Sequence, residues 1–132
     1  MEPFYGTRAA RLDDKFRLQI PADWRATIGG KALFTAGPDA CLTVFSREGF
    51  DDARRPYDAL PTADPADRER KRRYYAAIED AAADKQGRVV IPPPLRSGLS
   101  AGQPLTLIGF GDGTFELWDP ETYANRQNVG KS

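Results

Sequence analysis

A chain of 132 residues is one domain's worth, enough to bury a single modest core. With 40% hydrophobic and 29% charged residues it has an ordinary globular composition, and no apolar run approaches the roughly 20 residues of a membrane-spanning helix. Its 19 basic and 19 acidic side chains cancel, which counts at first against nucleic acid, although a neutral total can hide a segregated surface.

The start, Met1-Glu2-Pro3-Phe4-Tyr5-Gly6, lacks a basic segment followed by an apolar one, so no signal peptide is expected. Phe4 to Arg11 reads as a first strand or its approach. Leu12 to Arg17 has the polarity of a turn, and Leu18-Gln19-Ile20 alternates as a half-buried strand does. Pro21 ends it, because proline offers no N–H to a ladder. Pro21 to Ile28 suits one or two helical turns closed by Gly29-Gly30, with Trp24 and Ile28 facing the core. Ala32 to Thr35 and Cys41 to Phe45 form a hairpin across the Gly37-Pro38-Asp39 turn.

Ser46 caps a helix reaching Asp52, and Pro56 and Pro61 break the next stretch. Asp64-Pro65 opens a long helix expected to run to about Ala82, with Tyr74, Ile78 and Ala81 or Ala82 as its apolar stripe. The basic run Arg68 to Arg73 lies on it and reads as a solvated face rather than a phosphate contact. Val89 to Ile91 is a strand, Leu95 to Leu99 a helical turn, and Leu105 to Phe110 a buried strand. Gly111-Asp112-Gly113 is a hairpin turn, and Thr114 to Trp118 pairs back across it. Asp119-Pro120 opens a last helix, and Asn125 to Ser132 is expected to be a loose tail.

The stretch around which these elements are organised occurs twice. Asp13-Asp14-Lys15-Phe16-Arg17-Leu18-Gln19-Ile20-Pro21 returns as Asp84-Lys85-Gln86-Gly87-Arg88-Val89-Val90-Ile91-Pro92, a constant 71 residues on (Arg17 to Arg88, Pro21 to Pro92). Arg25 and Arg96 keep that spacing. Leu42 to Phe50 matches Phe115 to Tyr123 at a spacing of 73 (Phe45 to Trp118). Two copies are too few for a solenoid and imply one barrel or sandwich built from two related halves. The bland reading, a local Asp–Arg pair bracing a turn, is worth only about 0–1 kcal/mol and does not explain the repetition. In the functional reading the aspartate shapes the loop and leaves a cation outward. Arginine's planar fork suits phosphate or the O6/N7 edge of guanine.

On these residues, with Phe4-Tyr5-Gly6 and Phe115-Glu116-Leu117-Trp118-Asp119, nearly the whole chain resembles the MraZ family of the AbrB/SpoVT-like group. The resemblance implies a mainly β fold with helices: an AbrB/MraZ-type double-split β-barrel of two pseudo-repeats, with a long connecting helix and a C-terminal helix. The divisions are 1–62 for the first repeat, 63–82 for the connecting helix, 83–125 for the second repeat and 126–132 for the tail. The implied function is a sequence-specific DNA-binding transcriptional regulator of the division and cell-wall gene cluster. It would bind repeated, G-rich promoter boxes of double-stranded DNA as a homo-oligomeric ring, in the cytoplasm and on the nucleoid, with no membrane partner. Carried over by position, Lys15, Arg17 and Arg88 are the DNA contacts, and Asp13, Asp84 and Gly87 shape the loops.

Two departures stand out. Phe16 replaces the glycine of the pattern, where a positive φ would be costly, and an exposed ring there could pack on a neighbouring subunit or touch a thymine methyl. Gln86 stands opposite Lys15, which leaves one cation fewer in the second loop. Phe16, Trp24 and Trp118 are candidate interface aromatics. The competing reading is an antitoxin-like or scaffold barrel that binds a protein partner. Catalysis and a metal centre find little support: there is no histidine, Cys41 has no base partner in sequence, and the final Gly-Lys-Ser lacks a phosphate-loop pattern. No cofactor is expected.

Overall fold

The computed structural model describes residues 3–37 and 39–130. The fold is mainly β, with several short helices. β1 (Pro3–Phe4), β2 (Thr7–Arg11) and β3 (Arg17–Gln19) lead to a 3-10 turn at Ala22–Trp24 that continues into α1 (Arg25–Ile28). β4 (Lys31–Ala36), β5 (Leu42–Phe45), α2 (Arg47–Ala53), α3 (Arg55–Asp58) and α4 (Pro65–Ala76) complete the first part. The second comprises β6 (Glu79–Ala82), β7 (Arg88–Val90), a 3-10 turn at Pro93–Leu95, β8 (Pro104–Gly109), β9 (Gly111–Asp112), β10 (Thr114–Trp118) and α5 (Pro120–Gly130).

The repeated sequence becomes a repeated architecture. A six-stranded antiparallel sheet runs β2-β8-β10-β5-β4-β6, and β3 pairs β7 in a separate ribbon. Exchanging the halves (β2 with β6, β8 with β4, β10 with β5) returns the same order read backwards. Each half therefore gives its first strand to the other: β2 lies on β8, and β6 on β4. Among the described residues, no continuous ladder closes the ring of strands. Single bridges, Leu12 to Leu18 and Ala83 to Val89, tie the two sheet edges to the ribbon. These two bridges occupy equivalent positions in the halves and span the two splits.

Burial follows the repeat. Leu18 and Val89, Ile20 and Ile91, and Phe34 and Leu107 are matched pairs, all within 1% of full burial. Phe4, Trp24 and Phe115 meet in a trio with ring centroids 5.1–5.2 Å apart. A second, smaller cluster of Leu33, Phe45 and Phe50 receives Tyr74 and Ile78 from the chain that joins the halves. Tyr74 stacks on Tyr57 at 3.8 Å. Among the described residues, no helix is long and apolar enough to cross a membrane.

Several expectations need correcting. The long helix stops at Ala76, and Glu79–Ala82 forms strand β6 on β4. The apolar residues Ile78, Ala81 and Ala82 keep a helical spacing and do not alternate, so the sequence pattern favours a helix there, and pairing with the open edge of β4 overrides it. Pro56 starts α3 rather than ending order. The second 3-10 turn falls at Pro93–Leu95, ahead of the expected Leu95 to Leu99. The Gly111 turn carries β9, which pairs with β1. α5 reaches Gly130 through residues expected as tail, and Lys131 and Ser132 lie outside the described residues, as does Pro38 of the first hairpin turn. Trp24, 3% exposed, faces the core with Ile28 as their spacing predicts, so the interface reading fails for it and for Trp118, also 3% exposed. Tyr5 and Phe110 are the widely exposed aromatics among the described residues.

Helix capping matches the sequence. The Ser46 hydroxyl accepts the Gly49 amide at 3.0 Å, and the Asp64 and Asp119 carboxylates accept the Ala66 and Thr122 amides. On α4 the basic run is largely matched by the helix itself. Arg70 faces Asp67, Arg72 and Arg73 face Glu69, and Arg68 donates to the Thr62 carbonyl.

Candidate nucleic-acid interface

Both Asp-x-x-x-Arg copies fold into the same five-residue tip. Asp13 Oδ1 accepts the amides of Lys15 and Arg17, each at 2.8 Å, and its Oδ2 accepts Arg17 Nε at 2.5 Å. Asp84 does likewise with Gln86 and Arg88, at 2.9, 2.9 and 2.8 Å. An aspartate that satisfies the amides two and four residues on is a side-chain-closed turn, which explains its fixed place in the motif. The same carboxylate grips its arginine by Nε. Among the described residues, the terminal nitrogens of both guanidiniums make no hydrogen bond or ion pair, and each guanidinium is held through Nε alone.

The fourth residue of each tip has a left-handed backbone: φ is 58° at Phe16 and 76° at Gly87. Glycine adopts this freely, whereas Phe16 carries a strain of about 1–2 kcal/mol. Its ring is half-buried, not exposed, and lies under the Arg96 guanidinium at 4.6 Å. Arg96 Nε donates to the Ile91 carbonyl at 2.8 Å, and Arg25 Nε donates to the Ile20 carbonyl at 3.0 Å. Arg25 lies over Gly87 as Arg96 lies over Phe16. Reciprocal backbone bonds, Ile20 N–H to the Gly87 carbonyl and Ile91 N–H to the Phe16 carbonyl, both 2.9 Å, lock each tip to the opposite half. The Ile-Pro and following Arg of the repeat are thus the parts that hold the tips side by side.

A Cβ at Gly87 would overlap Arg25 Nε and lie 2.5 Å from Cδ, whereas Gly98, also left-handed, faces open space. Gly98→Ala is therefore expected to cost about 1 kcal/mol in backbone strain alone. Gly87→Ala should cost about 1 kcal/mol more, because Arg25 must leave the Ile20 carbonyl. Thermal unfolding of the two variants checks this; equal losses would show that Arg25 swings aside freely.

The ribbon joins the tips. Arg17 lies opposite Val90, and Gln19 opposite Arg88. Leu18 and Val89, fully buried, face the core. Alternation along a strand therefore places Arg17, Gln19, Arg88 and Val90 on the outer face, with the two arginines as diagonal neighbours roughly 7–8 Å apart. Their side chains are 28% and 30% exposed. Lys15 and Lys85 are exposed at the tips, Asp13 and Asp84 stand behind the arginines, and Gly87 makes its bend.

Position-by-position matching of the copies misses Lys85. It falls opposite Asp14, so the second tip carries a net charge of +1 and the first zero, the reverse of the expected deficit. Gln19 and Val90 escape it too, although the alternation around buried Leu18 and Val89 points to them.

Partial desolvation, the largest single influence on Asp13, pushes its pKa up. The Arg17 amide and guanidinium and the Lys15 amide together outweigh it and hold the group down from 3.8 to about 2. The Arg88 amide leads in lowering Asp84, against some desolvation. Depressed carboxylates stabilise the fold above their ordinary range and lose that contribution as pH falls through the folded value. Unfolding temperature should therefore be insensitive to these groups near neutrality and fall between about pH 4 and pH 2. Asp13→Asn should remove part of that acid limb; an unchanged limb would contradict the assignment. Elsewhere, burial pushes the Cys41 thiol up to about 12, so it stays protonated at neutral pH.

The geometry defines a class: strand-exchanged, pseudo-two-fold β proteins that present paired Asp-anchored arginines on one exposed ribbon. The family model described as "MraZ protein, putative antitoxin-like" matches residues 4–73 and 77–128, and the chain belongs to the MraZ family. Proteins named "Transcriptional regulator MraZ" are similar over most of their length. That of Paenarthrobacter aurescens is 34% identical over 91% of this chain and 83% of its own. That of Kocuria rhizophila is 38% identical over 88% and 80%, and that of Thermobifida fusca 34% over 92% and 85%.

Proposed function

We propose that this chain is a transcriptional regulator that grips duplex DNA through the β3–β7 ribbon, with Arg17, Arg88 and Lys15 as its contacts, joined by Lys85. The observation that carries the reading is the juxtaposition of two arginines, each aimed by its own aspartate, on one face of a two-stranded ribbon. A ribbon of that width enters the major groove, and an end-on guanidinium whose Nε is already held offers its two terminal nitrogens to guanine O6/N7 or to phosphate. The zero net charge limits what one ribbon can hold, so assembly into a homo-oligomeric ring that multiplies the tips on repeated promoter boxes is part of the proposal. The exposed Tyr5 and Phe110 offer an aromatic corner for contact between copies. The division into two AbrB-like repeats about a connecting segment, the cytoplasmic and nucleoid setting, and control of the division and cell-wall genes belong to the same reading.

A protein-partner role of the antitoxin kind is the second reading, favoured by that aromatic corner. Titration with duplex DNA from the promoter upstream of the chain's own gene, at two or more salt concentrations, separates them. Ribbon binding predicts affinity falling steeply with salt, with a slope reduced by about one for each phosphate-contacting cation removed. Salt-independent or absent retention, with a stoichiometric co-purifying protein, would favour the second.

A further inference from the structure

The two arginines obey the internal two-fold of the chain; the residues beside them do not. Gln19 and Val90 are equivalent positions, 71 residues apart like Arg17 and Arg88. On the outer face, Val90 sits opposite Arg17 and Gln19 opposite Arg88. Val90 is 40% exposed, an unusual place for a β-branched apolar side chain flanked by charge. Gln19 donates its Nε2 to the Gln86 carbonyl at 2.6 Å, which fixes the amide and leaves its Oε1 acceptor for a ligand.

Building on the DNA-binding reading above, we propose that Gln19 and Val90 are specificity-determining residues that make the ribbon read a non-palindromic site. Val90 places two methyl groups beside the base edge engaged by Arg17, where the complementary partner is the C5 methyl of thymine. Gln19 places an amide acceptor beside the base edge engaged by Arg88, where the complementary partner is an exocyclic amine, N6 of adenine or N4 of cytosine. An arginine pair with identical neighbours would bind a site equally well in either direction. With unlike neighbours the site has a direction, and each chain of an assembly can be set on DNA in one orientation only.

The test is selection of bound sequences from a randomised duplex pool by the wild type, Val90→Gln and Gln19→Val/Val90→Gln, with Arg17→Ala/Arg88→Ala run in parallel. The wild type is expected to enrich a directional sequence with thymine on one flank. Val90→Gln should lose the thymine preference, and the exchanged double variant should reverse the order of the flanking bases. Replacing that thymidine by deoxyuridine removes the methyl without altering the protein, and should weaken wild-type binding about fourfold, the worth of one buried methyl. Equal base preferences for wild type and Val90→Gln, or no response to deoxyuridine, overturn the assignment. Failure of the underlying reading looks different: retention of the pool would then survive Arg17→Ala/Arg88→Ala.

Discussion

On the proposed reading, Arg17→Ala combined with Arg88→Ala is expected to abolish retention of promoter DNA while leaving the fold and the proposed assembly in place. A well-formed arginine–base contact is worth about 1–3 kcal/mol, so losing two weakens one ribbon by about 30-fold to 10⁴-fold. Repetition of the ribbon in an assembly compounds the loss. The substitutions also leave Asp13 and Asp84 uncovered, which turns the first tip acidic against the phosphates. Thermal stability should change modestly, since both ion pairs are partly exposed and each aspartate keeps its two backbone amides, and exposed pairs are worth about 0–1 kcal/mol. Arginine-to-lysine changes should fall between: they keep the charge and lose the fork. Gel retardation and light scattering of the double variant check both halves of the claim. Retardation at wild-type concentrations would show that the contacts lie elsewhere.

Phe115→Ala is expected to cost about 3–5 kcal/mol, the largest single effect on stability. Phe115 is fully buried on β10, in the middle of the six-stranded sheet, and touches both Phe4 and Trp24. Its removal opens a cavity where β1 meets the rest of the molecule and where the 3-10 turn packs. A domain of this size has about 5–15 kcal/mol in total, so the variant should unfold many degrees earlier or fail to accumulate. Denaturant unfolding gives the number directly. A loss under about 1 kcal/mol would mean that the neighbouring rings collapse into the space.

The contrast between these residues shows what the chain declares in advance. The repeated Asp, Arg, Ile-Pro and second Arg can be read from spacing because each serves a local or near-local need: a side-chain-closed turn, a strand end, a carbonyl clasp. The exchange of β2 and β6 between halves can be placed only through resemblance, since strand pairing across most of the chain leaves no local mark. Glu79–Ala82 reads as helix because Ile78, Ala81 and Ala82 fit the helical spacing and do not alternate, and the strand forms through pairing with the open edge of β4, a partner distant in sequence. The cost of a positive φ at Phe16 is plain from its side chain. That its ring lies beneath Arg96 is not legible, because that contact joins distant parts of the sequence. The spacing of Trp24 to Ile28 points it to the core, but the partners that bury it, and those of Trp118, are not legible, which is why both also read as interface candidates. The burial of Trp24 depends on Phe4 and Phe115, and Trp118 packs on Tyr123. Lys85 hides in a frame that compares the copies column by column, while the surface shows only how many cations each tip carries.

The central claim is that one ribbon face, bounded by two aspartate-anchored tips, meets the double helix. Hydrogen–deuterium exchange of the full chain with and without promoter duplex, at low salt, tests it most directly. Slowed exchange confined to the segments 13–19 and 84–90 is the expected result. Protection on the basic helix Pro65–Ala76, with both tips unchanged, would contradict it.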